Sequence, residues 1–171
     1  MNLRFSILLI FIINAFIFTG CGYKPTSYYA KSAINGKVYV DIDMNIDNSS
    51  NSVIIKDIMN EMVLNQFEAQ LTHNKDIADT HINVKLLDIE QKAISSDNQG
   101  YVSLYRTTVY IKIRYKKRDE KAVELKVSNF YDYSVDDDSI ITEQKKQDSI
   151  KLAVSKSLSD VFSKIAVSNF K

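Results

Sequence analysis

Few residues in this 171-residue chain are spaced to do chemistry, and the densest group is a row of cations. Between Arg106 and Lys126 eight basic residues stand against three acidic ones. Arg106, Lys112, Arg114 and Lys116 sit at even spacings in one alternating run, and Lys117 and Arg118 carry the charge into the turn that follows. Alternation at period two puts the first four on one face of a strand, with neighbouring same-face positions about 7 Å apart. Such a row suits phosphate oxygens, Arg through a two-point contact and Lys as a point charge. It equally suits a solvated strand face whose charges discourage edge pairing. The remaining reactive groups form no catalytic pattern. His73 and His81 are the only histidines, and no carboxylate or thiol joins them at metal-ligand spacing. Asp136, Asp137 and Asp138 lack the alternating ligands, turn glycine and closing Glu of a calcium loop, and suit a helix N-terminus instead. Gly22, Gly36 and Gly100 are too scattered to cradle a phosphate, and there is no serine elbow or cysteine nucleophile. The expectation is a protein that acts by binding, without catalytic residues, metal or cofactor.

Cys21, the single cysteine, is different, because the residues before it specify a covalent fate. Arg4 follows the start, and residues 5–18 are apolar except for Ser6 and Asn14. A membrane-spanning helix needs about 20 apolar residues, so this shorter run reads as a removable export signal. Phe18-Thr19-Gly20-Cys21 then resembles the lipobox of bacterial lipoproteins, in which the thiol is acylated and the signal is cut before it. Phe18 departs from the aliphatic residue usual there. The expected product is a chain that starts at Cys21, carries a covalent N-terminal lipid on that residue and is held at a membrane by it. Gly22 is not the Asp that retains enterobacterial lipoproteins at the inner membrane, so the expected location is the outer membrane, facing the periplasm.

Removing residues 1–20 leaves 151 residues, enough for one ordinary domain. Without a second cysteine no disulfide can form, so stability must come from a packed core. Loss of Arg4 leaves 21 basic against 21 acidic residues, a balance that argues against a nucleic-acid partner.

The elements that must hold the basic row can be read from periodicity. Residues 21–36 contain the only proline, Pro25, show no clean period and read as a tether. Residues 37–45 alternate as a half-buried strand through Val38, Val40 and Ile42. Residues 53–71 read as a helix whose wide apolar arc, from Ile55 and Met59 round to Phe67 and Leu71, suggests cover on more than one side. Three strands follow, at 80–92, 101–117 and 122–135, the first with a change of phase at Leu87 that predicts a bulge. Residues 141–166 predict a closing helix, because Ile150, Val154, Leu158, Val161 and Ile165 make one stripe. The expected fold is α+β, a four-stranded mostly antiparallel sheet with two helices on one face, in the order β-α-β-β-β-α. The expected division is a signal at 1–20, an acylated tether at 21–36 and a single domain at 37–171.

Taken along its length, from Cys21-Gly22-Tyr23-Lys24-Pro25 through the helix around Ile58 and Phe67, the three long strands and the amphipathic last helix, the chain resembles the LptE family of lipopolysaccharide-assembly lipoproteins, in particular Campylobacter-like forms. Ile55-Lys56-Asp57, Gly100-Tyr101-Val102 and Leu104-Tyr105-Arg106 carry part of the likeness. The resemblance implies a lipid-anchored plug in the lumen of the large outer-membrane β-barrel LptD, which helps that barrel assemble and helps deliver lipopolysaccharide to the surface. It also supplies a ligand for the basic row, since lipopolysaccharide carries phosphates. The alternative is another outer-membrane lipoprotein of similar shape, a pilotin-like or barrel-assembly accessory factor.

Overall fold

A computed structural model of the chain describes residues 26–43, 49–135 and 142–168. The export signal, Cys21 and Asp136 to Asp138 lie outside the described residues. The elements run α1 (Thr26–Ala33), β1 (Lys37–Asp43), α2 (Ser49–Asn65), β2 (Gln70–Leu71), a 3-10 turn (Lys75–Ile77), β3 (Thr80–Ser96), β4 (Val102–Lys117), β5 (Val123–Ser134) and α3 (Glu143–Ser168). The strands form one five-stranded sheet in the order β2-β1-β3-β4-β5. The α+β class holds, but the expected four-stranded sheet with two helices is corrected, among the described residues, to a mixed five-stranded sheet with three helices.

Each correction has a local cause. β1 lies parallel to β3, with Val38 opposite Thr80 and Asp43 opposite Lys85. Parallel neighbours need a crossover of a dozen or more residues, and α2 with its flanking loops supplies it. The extra strand, β2, is only two residues long and pairs Gln70 and Leu71 with Lys37 and Val38. It occupies what sequence periodicity assigns to the end of α2. That helix stops at Asn65, and the chain then turns through Glu68, whose φ is 54°. Phe67 stays in the core, 2 % exposed and with its ring 5.1 Å from that of Phe162, so its apolar spacing imitates another helical turn. The extra helix, α1, falls in the expected tether. Among its described side chains Ala30 and Ala33 are buried, with Ile34 just beyond its end, and residues as small as alanine leave little periodic signal.

The helices cover one face of the sheet. Val38, Val40, Ile42, Ile82, Val84, Val109, Ile111, Ile113 and Val127 form one core with Ile55, Met59, Met62 and Val63 of α2 and the whole α3 stripe. Ile150 is 3 % exposed and Val154, Leu158, Val161 and Ile165 are fully buried. The wide arc of α2 is covered on one side only, since Val53 and Leu64 remain exposed. The expected bulge appears between Leu86 and Asp88 and shifts the alternation so that Ile89 opposes Val109. On β5 the outer edge is capped by α3, where Lys164 Nζ donates to the carbonyl of Lys126 at 3.1 Å and Asn129 Nδ2 donates to Asp160 at 3.0 Å.

The start of the sheet is tied by Gly36 and Asp79. The Asp79 carboxylate accepts the Lys37 N–H at 2.9 Å, and the Asp79 N–H donates to the Lys37 carbonyl at 2.7 Å. Gly36 has φ +71°, and a Cβ there would sit 2.5 Å from Asp79 Oδ2. Gly36→Ala therefore combines a left-handed backbone with a clash, and should lower stability in urea unfolding by about 1 to 3 kcal/mol.

Candidate functional site

The face of the sheet opposite the helices carries the basic row. Arg106, Thr108, Tyr110, Lys112, Arg114 and Lys116 point to it from β4, because the alternate positions, Thr107 to Tyr115, are buried on the helix side. Register then decides what each cation meets. Arg106 lies opposite Asp132 of β5 and donates to both carboxylate oxygens, at 2.7 and 2.8 Å. Its guanidinium also stacks on the Phe130 ring, 3.8 Å from the centroid. Lys112, opposite Lys126, reaches diagonally to Glu124 at 2.9 Å, and Glu124 itself lies opposite Arg114. Lys117 turns to the helix side, donates to the Ser32 carbonyl of α1 at 2.8 Å and lies 3.7 Å from Glu120. Arg118 donates to the Ala78 carbonyl at 3.3 Å and lies 3.8 Å from Asp79. Arg114 and Lys116 are exposed and form no ion pair among the described residues.

The two ends of the row are thus chemically different. At the Arg106 end the hydrogen bonds from the guanidinium hold the Asp132 carboxyl below its ordinary range, and the same contact raises Arg106. The hydrogen bond from Lys112 likewise lowers Glu124, reinforced by the charges of Lys112, Lys126 and Arg114. These cations are already neutralised. A lowered carboxyl stabilises the folded state at pH above its unfolded value and loses that contribution as pH falls through its folded value. Wild type and Arg106→Gln should therefore differ in melting temperature at neutral pH and converge well below pH 3.8, the ordinary value for Asp132. A constant gap down to that acidity would show that the pair adds nothing through charge.

At the other end the sheet forms a cleft of about 580 Å³. Parallel pairing of β1 with β3, and antiparallel pairing of β3 with β4, sets two rows of side chains across its floor. Tyr39, His81 and Lys116 make one row and Asp41, Asn83 and Arg114 the other. The 3-10 turn supplies Lys75 and Asp76 at the rim, and Lys117 and Arg118 close the end. Asn74 fixes that turn by accepting the Asp76 N–H on its side-chain oxygen at 2.9 Å. The Tyr39 and His81 rings lie beside each other, with centroids 6.0 Å apart and planes at 54°. Of the six cations singled out in the sequence, Arg114, Lys116, Lys117 and Arg118 line this cleft, whereas Arg106 and Lys112 do not. Tyr39, Asp41, Lys75, His81 and Asn83 were not expected there. Their alternation marked a polar face, but nothing in the sequence showed that β1 would lie against β3. Among the described residues no cluster of three or more His, Cys, Asp or Glu is placed to hold a metal ion.

The arrangement can bind an anion and hydrogen-bond to hydroxyl groups. The family model described as LptE, lipopolysaccharide-assembly, matches residues 38–165, which contain all of the sheet except Lys37 and nearly all of α3. The chain belongs to the LptE family. Two solved structures agree on the fold. A lipoprotein from Caulobacter crescentus is 8 % identical with a TM-score of 0.51, over 83 % of this chain and 93 % of that one. Lipoprotein B from Nitrosomonas europaea is 9 % identical with a TM-score of 0.50, over 78 % and 84 %. Rare lipoprotein B from Shewanella oneidensis is 14 % identical with a TM-score of 0.47, over 77 % and 92 %. No curated protein matches the chain by sequence. In this LptE family member, the cleft and the paired cations sit on the face opposite the described helices.

Proposed function

We propose that the protein is exported, acylated on Cys21 and anchored at the outer membrane, where it seats in an LptD-like β-barrel, helps that barrel assemble and assists lipopolysaccharide transport by binding. The family match supports lipopolysaccharide assembly as the general role. The observation that carries the finer reading is the helix-free sheet face. It mixes aromatic groups with neutralised charge, as at Tyr39, Tyr110, Phe130 and the Arg106–Asp132 pair. Interfaces are rich in tyrosine, phenylalanine and arginine, and an ion pair formed within one partner enters an interface without leaving a lone charge. A face with four uncompensated cations from Arg106 to Lys116 would instead suit bulk water.

Direct contact with lipopolysaccharide is part of the same proposal, through Arg114, Lys116, Lys117 and Arg118 of the basic row, since Arg106 and Lys112 are already engaged by Asp132 and Glu124. Geometry favours its cleft end, where Arg114 and Lys116 have charge to offer. A photocrosslinker at Tyr110 or Ser128, both on the helix-free face, tests the seating. In intact cells it should trap one large outer-membrane β-barrel. Trapping only soluble periplasmic proteins from both positions would count against a barrel seat.

A further inference from the structure

We infer that the cleft is a phosphorylated-sugar site, so that lipopolysaccharide is gripped there by its saccharide headgroup and not by its acyl chains. The inference rests on the proposed handling of lipopolysaccharide and adds which part of the molecule is read, and by which residues. Three observations converge on it.

The first is the lining. The volume of about 580 Å³ lies within the range of small-molecule sites, roughly 300 to 1,000 Å³. Acyl chains need a continuous apolar wall. Here the aliphatic residues at the wall, Ala78 and Ile82, are 2 % and 1 % exposed, so the apolar surface is divided among the Tyr39 and His81 rings and the stems of charged side chains and makes no continuous wall.

The second is the placement of charge. Arg114 and Lys116 stand two residues apart on one strand face, about 7 Å from each other, and Arg118 and Lys75 border the same space. Arg118 is already held by the Ala78 carbonyl, so its position is set before any ligand arrives. Arg114 lies opposite Glu124, but that carboxylate is held by Lys112, so neither Arg114 nor Lys116 forms an ion pair among the described residues and both can give charge to a phosphate or a sugar carboxylate.

The third is what lies between the cations. Asp41 and Asn83 share a row with Arg114. A carboxylate repels a bare phosphate but accepts hydrogen bonds from sugar hydroxyls, and an amide both gives and accepts them. The Tyr39 and His81 rings beside them offer a surface for the C–H face of a sugar ring. Cations, a hydroxyl acceptor and an aromatic wall in one cleft select a ligand carrying both hydroxyls and negative charge.

The test uses the acylated protein in detergent, with variants whose melting temperatures match wild type. The probes are intact lipopolysaccharide, the fully deacylated saccharide with its phosphates, the same saccharide after phosphatase treatment, and inorganic phosphate alone. Deacylated saccharide should bind and compete with intact lipopolysaccharide, whereas the phosphatase-treated saccharide and inorganic phosphate should each bind far more weakly. Arg114→Gln with Lys116→Gln should weaken saccharide binding about tenfold or more, because hydrogen bonds from a charged donor are the strong ones. Arg106→Gln and Lys112→Gln should change it less than about twofold, because those cations are already engaged by Asp132 and Glu124. Asn83→Ala and Tyr39→Ala should weaken binding without altering its salt dependence. Arg114→Lys should retain part of the affinity, which a purely structural role for Arg114 would not predict. Binding of intact lipopolysaccharide but not of the deacylated saccharide would overturn the inference and leave the proposed function standing. So would equal reductions in the Arg106 and Arg114 variants, or phosphate binding as tightly as saccharide. If no form binds, direct contact is wrong altogether, and the barrel seat is judged separately by co-purification.

Discussion

Leu158→Asp should unfold the domain. Leu158 is fully buried in α3, between Val154 and Val161, which are also fully buried, in the one core that joins all three helices to the sheet. A carboxylate placed there either stays desolvated and unpaired or pulls α3 away from β4 and β5. The first costs several kcal/mol, and the second gives up most of the core, against a total stability of about 5 to 15 kcal/mol. Val154→Asp should do the same. Leu152 lies on the outer side of the same helix, 42 % exposed, and Leu152→Asp should shift stability by no more than about 0.5 kcal/mol. Circular dichroism and thermal melting read all three. A Leu158→Asp protein with a native melting temperature would mean that α3 does not lie on the sheet.

Cys21→Ser should abolish acylation completely and leave the signal in place, because the lipoprotein peptidase acts after the thiol has been modified. Each buried CH₂ of an acyl chain contributes roughly 0.8 kcal/mol, so two or three chains hold a protein at a bilayer almost permanently and their loss is a change of compartment. Only residues 22–25 separate Cys21 from the first residue of α1, a span of at most about 18 Å even when extended. An acylated Cys21 would thereby keep the folded domain close to the surface that holds the lipid. Labelled fatty acid supplied to growing cells should enter the wild-type protein and not the variant. Label in the variant would refute the anchor, whatever the fold does.

Regular, long-range periodicity made part of this structure readable. β3, β4, β5 and α3 each run for twelve or more residues with one unbroken or once-shifted pattern, so their ends fall within about four residues of where alternation and the apolar stripe put them. The bulge at Leu87 was visible for the same reason. Short elements gave no such signal. β2 has two residues, and α1 is buried through Ala30 and Ala33, whose small side chains hardly raise the local hydrophobicity. The parallel pairing of β1 with β3 depends on how α2 crosses over, and no local pattern states that.

The site divides along the same line. That Arg106, Lys112, Arg114 and Lys116 share a face follows from alternation within one strand. That Asp132 neutralises Arg106 follows from the register of β5, which sets the two opposite each other 26 positions apart, whereas Glu124 lies opposite Arg114 and reaches Lys112 diagonally, 12 positions away. The cleft needs three strands and a turn brought together, so Tyr39, Asp41, His81 and Asn83 could be placed on a polar face but not beside Arg114.

The central claim is that this LptE family member works on a single large barrel partner. Isolation of the acylated protein from detergent-solubilised outer membranes, followed by quantitative mass spectrometry, tests it most directly. One LptD-like β-barrel should be recovered in equal molar amount, with lipopolysaccharide alongside. Recovery of a secretin, of the general barrel-assembly machinery, or of the protein alone would contradict the claim and turn attention to the pilotin-like or accessory role.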